Sequence, residues 1–274
     1  MNPDYATECA LMQEAAKSCH DIIMRYFKHG KELGSEAGVR DKDVGNPLTE
    51  ADLEVDKHLH KTLLGARPDY GWLSEETADN AERLKKERIW VVDPIDGTKE
   101  FIAGIPQFAI SIGLVESGTV VAAVVYNPPE QELFSAYLGG GTLLNGEPIH
   151  TTERGELQGA TCLASRSETK RGDWDDFKDL FELTTMGSIA YKLALVAAGR
   201  FDMTFTLTPK NEWDYCAGLL LVEEAGGKVC LKDGESFIFN RPHPKTRSVL
   251  ATNGLLNPLL LERLQSVPLG PDRR

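Results

Sequence analysis

The chain is poor in the residues that mark zinc, nucleic-acid and membrane proteins. Its five cysteines, Cys9, Cys19, Cys162, Cys216 and Cys230, are an odd number, far apart, and set in apolar periodic segments. Neither Cys-x-x-Cys nor a zinc-type Cys/His pairing occurs. That argues against a disulfide framework or a zinc site, and for buried, reduced thiols in a cytoplasmic protein. Histidines number only six, and His58 and His60, two apart in a helical segment, fall on different faces and read as surface or packing residues. No apolar run approaches the ~20 residues of a membrane span. The opening Met1-Asn2-Pro3-Asp4-Tyr5-Ala6-Thr7-Glu8 is acidic and has no signal-peptide core. Bases are outnumbered, 30 against 42 acids, for a net charge of −12. Such a balance opposes long-range attraction to a nucleic-acid polymer or an anionic membrane as partner. An anionic substrate would therefore need a local countercharge, and bound metal ions are the obvious supply.

What is present is an ordinary globular composition, 41% hydrophobic and 26% charged over 274 residues, enough for one large domain or two packed halves. Cys9, Met12, Ala16, Cys19, Ile23, Tyr26 and Phe27 recur at helical spacing and predict one amphipathic helix over 4–28. From Lys28 to Pro47 the chain turns polar and glycine-containing, a long loop that reads as a mobile lid. Thr49 and Asp52 have the spacing of a capping box ahead of a second helix with Val55, Leu59 and Leu63 on one face. The runs 108–116, 120–127 and 131–137 predict antiparallel hairpins, and Gly139-Gly140-Gly141-Thr142, lacking a lysine, reads as a hairpin feature. Lys85-Lys86-Glu87-Arg88 reads as a solvated charge run.

Later the rhythm changes: a strand at 161–165, helices at 175–183 and 188–198, a strand at 203–207, a helix at 214–225, strands at 228–232 and 248–252, and a helix from Asn257. Such alternation predicts an α/β second half. A seam near the Asn145-Gly146 turn divides residues 1–150, an α+β half, from 151–274.

The most telling stretch is Trp90-Val91-Val92-Asp93-Pro94-Ile95-Asp96-Gly97-Thr98. A buried-type strand ends in a proline-fixed turn carrying two acids, close enough to share a hard cation. Gly97-Thr98 then opens a helix, whose free N–H groups suit a phosphate. A plain Asp-Pro/Asp-Gly turn is the alternative for the two acids. Likewise Glu75-Glu76 alone is a solvated face, Asp52 alone a capping-box member, and Asp214 alone an N-cap.

Taken together, Asp93-Pro94-Ile95-Asp96-Gly97-Thr98, Trp213-Asp214 with Ala217-Gly218, Glu75-Glu76 and Thr49-Glu50-Ala51-Asp52 resemble the signature set of the inositol monophosphatase superfamily, in order along the chain. The resemblance implies a layered α-β-α-β-α sandwich, between α+β and α/β in class, as in inositol monophosphatase and fructose-1,6-bisphosphatase. It also implies a lithium-sensitive, Mg²⁺-dependent phosphomonoesterase acting on a small phosphorylated metabolite, and a homodimer. Carried over by position, Glu75, Asp93, the Ile95 carbonyl, Asp96 and Asp214 would hold roughly two or three Mg²⁺ ions. Asp52 and Thr98, with Glu75, would act on the attacking water. Gly97 and Thr98 would cradle the phosphate, and Lys42 would complete its surroundings.

For the substrate, Gly97-Thr98-Lys99-Glu100-Phe101 and Pro209-Lys210-Asn211-Glu212-Trp213-Asp214 are most similar to the 3'(2'),5'-bisphosphate nucleotidase branch. Ser165-Arg166-Ser167, Gly187-Ser188 and Lys192 resemble that branch's substrate-lining elements, and Asp214 would also touch substrate. An arginine or lysine there would select a second phosphate, or be a surface cation. The acid and histidine that inositol-specific members carry before Trp-Asp do not occur here. Adenosine 3',5'-bisphosphate is accordingly the leading substrate. Inositol phosphates or other sugar and histidinol phosphates follow, and a non-catalytic phosphate-ester-binding protein is the third reading.

Overall fold

Burial of one helical stripe shapes the N-terminus, yet it takes two helices, α1 (Tyr5–Ser18) and α2 (His20–Tyr26), rather than the single one expected. The Ser18 hydroxyl donates to the Ala15 carbonyl at 2.7 Å, and the Cys19 N–H bonds only three residues back, to Ala16. That local competition interrupts the helical ladder. The structure, a computed structural model, describes residues 5–34, 38–43 and 46–270, with the side chains of Lys42, Asp43 and Asn46 outside that description. Within the polar segment expected as a loop, β1 (Arg40–Asp43) and β2 (Asn46–Leu48) pair antiparallel.

Helix α3 (Glu50–Ala66) starts at the expected Thr49/Asp52 capping box. There follow β3 (Gly71–Ser74), β4 (Arg88–Asp96), α4 (Thr98–Ile102), β5 (Ala109–Glu116), β6 (Thr119–Asn127), β7 (Glu132–Tyr137), β8 (Thr142–Leu144) and β9 (Glu147–Ile149). These seven strands, β3 through β9, form one sheet in chain order, antiparallel except for the β3–β4 pair. Beyond it lie β10 (Ala160–Ser165), α5 (Arg166–Lys170), β11 (Phe181–Met186), α6 (Ile189–Ala197), β12 (Met203–Thr206), β13 (Lys210–Asn211), α7 (Glu212–Glu224), β14 (Lys228–Cys230), β15 (Lys245–Thr246), β16 (Val249–Thr252) and α8 (Asn257–Leu264). The second sheet has order β11-β10-β12-β16-β14 and mixes parallel and antiparallel neighbours. The helix expected over 175–183 is instead a single 3₁₀ turn, Asp175–Phe177, followed by strand β11. Phe177 and Phe181 turn inward to stack on each other and to edge onto Phe205, so tertiary packing outweighs local helical spacing there.

Three apolar cores account for the layering. Alternate residues of β4, Trp90 and Val92, join Ile110, Ile112 and Leu114 of β5 and the inner stripes of α1, α2 and α3. The intervening Ile89 and Val91 face the opposite way, toward α6 and α7, which also cover Leu163, Val249 and Ala251 of the second sheet. The far face of that sheet, with Cys162, Phe205 and Leu250, packs on α8 and on Trp174 and Phe177. The order is thus helices, sheet, helices, sheet, helices, the layered α-β-α-β-α sandwich. Strands covered on both faces explain the unbroken apolar runs. Close approach matters where α7 crosses β5, since a Cβ on Gly113 would stand 2.5 Å from the Cys216 sulfur.

All five cysteines are free and buried. Arg88 does not belong to a solvated run: it opens β4 and pairs with Glu116 at 2.6 Å and with the Tyr70 hydroxyl at 2.8 Å. Gly139 and Gly141 lie in the β7–β8 connection, where their N–H groups donate to Glu224, both at 2.9 Å. Among the described residues no helix is long and apolar enough to cross a membrane.

Candidate active site

The acids at the end of β4 share a face because the strand is irregular there. Asp93 pairs with Ser111 and Asp96 with Ala109, so three steps on β4 match two on β5. In a regular strand, residues three apart point to opposite faces; one extra residue reverses that. Ile95 accordingly turns to the α1–α3 side, while Asp93 and Asp96 both face α6 and α7. Pro94, with no N–H to give, is tolerated at such a bulge.

Two further acids, Asp52 and Asp214, arrive at the start of a helix, and Glu75 in the turn after a strand. Asp52 is the third residue of α3, and its Oδ2 accepts from the Thr49 N–H at 2.8 Å and the Thr49 hydroxyl at 2.5 Å. Asp214 is not the N-cap of α7: Asn211 is, and Asp214 closes the capping box as its Oδ2 accepts from the Asn211 N–H at 3.0 Å. The Ser111 hydroxyl, opposite Asp93, donates to the Trp213 carbonyl at 3.3 Å and so sets the start of α7 beside β4. Glu75 follows β3, and the turn that carries it is tied to α3, because Asp56 accepts from Ser74 at 2.5 Å and Thr77 at 2.7 Å.

Glu75, Asp93 and Asp214 present carboxylate oxygens all within 4.8 Å of one another. Burial, then the charges of Glu75, Asp96, Asp214 and Glu76, push the Asp93 carboxyl well above the usual range. Asp96 lies outside that triplet but feels it. Burial and then Asp214 raise it to about 7, against the opposing pull of Ser188, the Ala190 N–H and Lys192. Three oxygen-donor acids packed together, whose mutual repulsion raises the Asp93 carboxyl, fit a hard divalent cation of the Mg²⁺ type.

The Ile95 backbone joins this cluster to a second group. Its N–H donates to Asp93 Oδ1 at 3.1 Å, and its carbonyl accepts from the Thr98 hydroxyl at 3.1 Å. The same hydroxyl reaches Asp52 Oδ1 at 3.4 Å. Gly97 has φ +102, and a Cβ there would stand 2.9 Å from the Gln107 carbonyl oxygen, so glycine alone can lead the chain into α4.

An inositol monophosphatase family model matches residues 4–269. The chain belongs to the inositol monophosphatase family. It is 35% identical over 265 residues to the inositol-1-monophosphatase of Caulobacter vibrioides, covering 93% of this chain and 100% of that one. It is also 36% identical over 220 residues to the inositol-1-monophosphatase of Rhizobium meliloti, covering 75% and 82%. Among solved structures, the extragenic suppressor protein suhB of Bartonella henselae superposes with a TM-score of 0.80 at 30% identity, covering 94% of this chain and 98% of that one.

The residues expected to line substrate take several places. Ser165 caps α5, its hydroxyl accepting from the Glu168 N–H at 3.5 Å. The adjoining Arg166 is engaged by Glu100, at 3.1 Å, and by the Gln107 side chain. Gly187 lies flat against Glu100, where a Cβ would come within 2.0 Å of the carboxyl carbon. Ser188 donates to Asp96 at 2.6 Å. Lys192 is buried, which lowers its pKa, and Glu168 and Asp96 oppose that drop. The backbone of Lys42 sits in β1, while its side chain lies outside the described residues.

Sequence reasoning read Thr49 only as a helix cap and passed over Asp56, Ser111 and Glu168. Glu168 is buried and would be raised by that burial, yet Lys210, Lys192, Thr206 and Thr208 hold it below the usual carboxylate range. Only Thr49 had a legible signal, the capping-box spacing; the others act through contacts far apart in the chain.

Proposed function

We propose that this chain is a Mg²⁺-dependent phosphomonoesterase that hydrolyses a small phosphorylated metabolite, with Glu75, Asp93, the Ile95 carbonyl, Asp96 and Asp214 as the metal-holding set. The observation that carries the reading is the Glu75–Asp93–Asp214 cluster joined, through the backbone of Ile95, to the Thr98–Asp52 pair. When bound, the divalent cation supplies the positive charge that offsets the phosphate dianion and favours ionisation of a nearby water.

The chain's own groups do the rest. Asp52 Oδ2 accepts both donors from Thr49, and Asp52 Oδ1 accepts from the Thr98 hydroxyl. Thr98 Oγ1 can then take a proton from the attacking water as it passes its own to Asp52. N–H groups in the first turn of α4, at Gly97 and Thr98, face no intrahelical acceptor and suit phosphate oxygens. Glu75, itself in the cluster, assists in orienting the water.

For the ester, the inositol-1-monophosphatase names of the Caulobacter and Rhizobium relatives move an inositol phosphate to the front. Adenosine 3',5'-bisphosphate stands second, supported by the buried Lys192 beside Asp96 and by Arg166 at the rim of the same region. Arg166 already answers Glu100, which weakens its claim on a second phosphate. A cytoplasmic setting suits the free thiols, and the division at residue 150 is proposed as a seam between halves that share the α6–α7 core.

Purified protein with Mg²⁺ is expected to release phosphate from at least one of inositol 1-phosphate, adenosine 3',5'-bisphosphate, fructose 1,6-bisphosphate and histidinol phosphate. No release from any of them sinks the enzyme reading and leaves the binding-protein alternative. A tenfold preference in kcat/KM, about 1.4 kcal/mol in the transition state, decides between the first two.

A further inference from the structure

Ser188 has a backbone that serine avoids. Its φ is 51° and its ψ 109°, in the left-handed half of conformational space where glycine is at ease. The residue caps α6, its hydroxyl accepting from the Tyr191 N–H at 3.0 Å. Capping alone does not require this conformation. Thr49 and Ser165 cap α3 and α5 from ordinary extended backbone, at φ −119° and −63°. What sets Ser188 apart is a second duty, since the same hydroxyl donates to Asp96 Oδ2 at 2.6 Å, across 92 positions of chain. The Ala190 N–H donates to that same oxygen, also at 2.6 Å. One oxygen of Asp96 is therefore saturated by the start of α6, and the carboxylate cannot turn without breaking both bonds.

We infer that Ser188 is a positioning residue: its strained backbone is retained because it aims the hydroxyl at Asp96 and fixes that carboxylate beside Asp93 and Asp214, ready for a divalent cation. The inference rests on the metal-holding role proposed for Asp96 and reassigns Ser188 from substrate contact to orienting a ligand. Outer partners of this kind typically change metal affinity by about 10–100-fold when removed. Because the Ala190 N–H remains, the low end applies.

Strain and positioning separate cleanly by substitution. Ser188→Gly relieves the backbone, is nearly neutral as a cap and removes the hydroxyl. Ser188→Ala keeps the strain and also removes the hydroxyl. Each protein is stripped with chelator, its thermal midpoint is recorded, and Mn²⁺ is titrated in by calorimetry. The expected result is that Ser188→Gly melts at or above wild type yet binds Mn²⁺ about tenfold more weakly. Ser188→Ala should bind as weakly and melt lower than Ser188→Gly. Wild-type affinity in Ser188→Gly overturns the positioning role, and a midpoint below wild type overturns the strain argument. If wild type itself takes up no Mn²⁺, the metal-dependent reading of the whole site fails, and the role of Ser188 with it.

Discussion

Replacing Asp96 by asparagine should make the metal-free protein more stable while destroying its activity. Burial and the Asp214 charge push this carboxyl up to about 7, from the 3.8 ordinary for an aspartate. Between those two values the native protein holds a proton that the unfolded chain has released. The stability this group contributes is therefore complete below about pH 4 and lost as pH rises through about 7. Raising the carboxyl from 3.8 to about 7 corresponds to about 4 kcal/mol, the most that ionised Asp96 can cost at pH 8. Asparagine removes the charge and keeps the shape. Its single carbonyl oxygen can replace Oδ2 as acceptor for both the Ser188 hydroxyl and the Ala190 N–H, with weaker bonds than a carboxylate makes. Losing about 1–2 kcal/mol in those two bonds leaves a net gain of about 2 kcal/mol. Urea unfolding in excess chelator at pH 8 should show Asp96→Asn ahead of wild type by that amount, with the advantage gone by about pH 4. Adding Mg²⁺ at pH 8 should raise wild type much more than the variant, and kcat/KM of the variant should fall at least about 100-fold. A variant less stable than wild type at pH 8 in chelator, or a difference that ignores pH, refutes the reasoning.

Thr98→Val replaces the hydroxyl between Asp52 and Ile95 with a methyl group of equal size. Steady-state kinetics should show kcat reduced about 100-fold at little-changed KM; an unaltered kcat removes Thr98 from the proton path. Gly97→Ala forces a Cβ to within 2.9 Å of the Gln107 carbonyl at φ +102. A loss of about 1–3 kcal/mol in denaturant unfolding is expected, together with loss of activity, and wild-type stability would show that the turn relaxes freely. Gly113→Ala drives a methyl group at the Cys216 sulfur and should cost about 1–3 kcal/mol by overpacking α7 on β5. Since α7 carries Asp214, a calorimetric Mn²⁺ titration should also show weaker binding, and unchanged affinity would mean that α7 does not shift.

Much of the fold could be read from local pattern because local physics made it. Runs such as 108–116 and 120–127 are strands since both faces of the sheet are covered, and the Thr49/Asp52 spacing marked the start of α3 correctly. Reading failed where distant packing decided. Phe177 and Phe181 sit at helical spacing, but Phe205 draws them into an aromatic cluster, and the segment becomes a 3₁₀ turn and a strand. Arg88 looked solvated within a charged tetrapeptide, yet Glu116, 28 residues on, claims it.

At the site, two descriptions that looked like alternatives proved to be one. Asp52 and Asp214 each close a capping box with Oδ2, and so hold a helix end while Asp52 also meets Thr98 and Asp214 also joins the acid cluster. The helix N-terminus in turn favours the negative charge that the site needs.

The sequence by itself determined which groups are available: an acid pair after a buried strand, Gly97 at a turn that calls for glycine, and helix starts that carry acids. These follow from backbone preferences acting over a few residues. Only the tertiary structure decided how the groups face one another. The bulge on β4 turns Asp96 to the side of Asp93, Ser111 sets α7 beside them, and Ser188 locks Asp96 from the other half of the chain. Each of those depends on partners 13 to 102 residues apart, and such separations leave no periodic signal in the sequence.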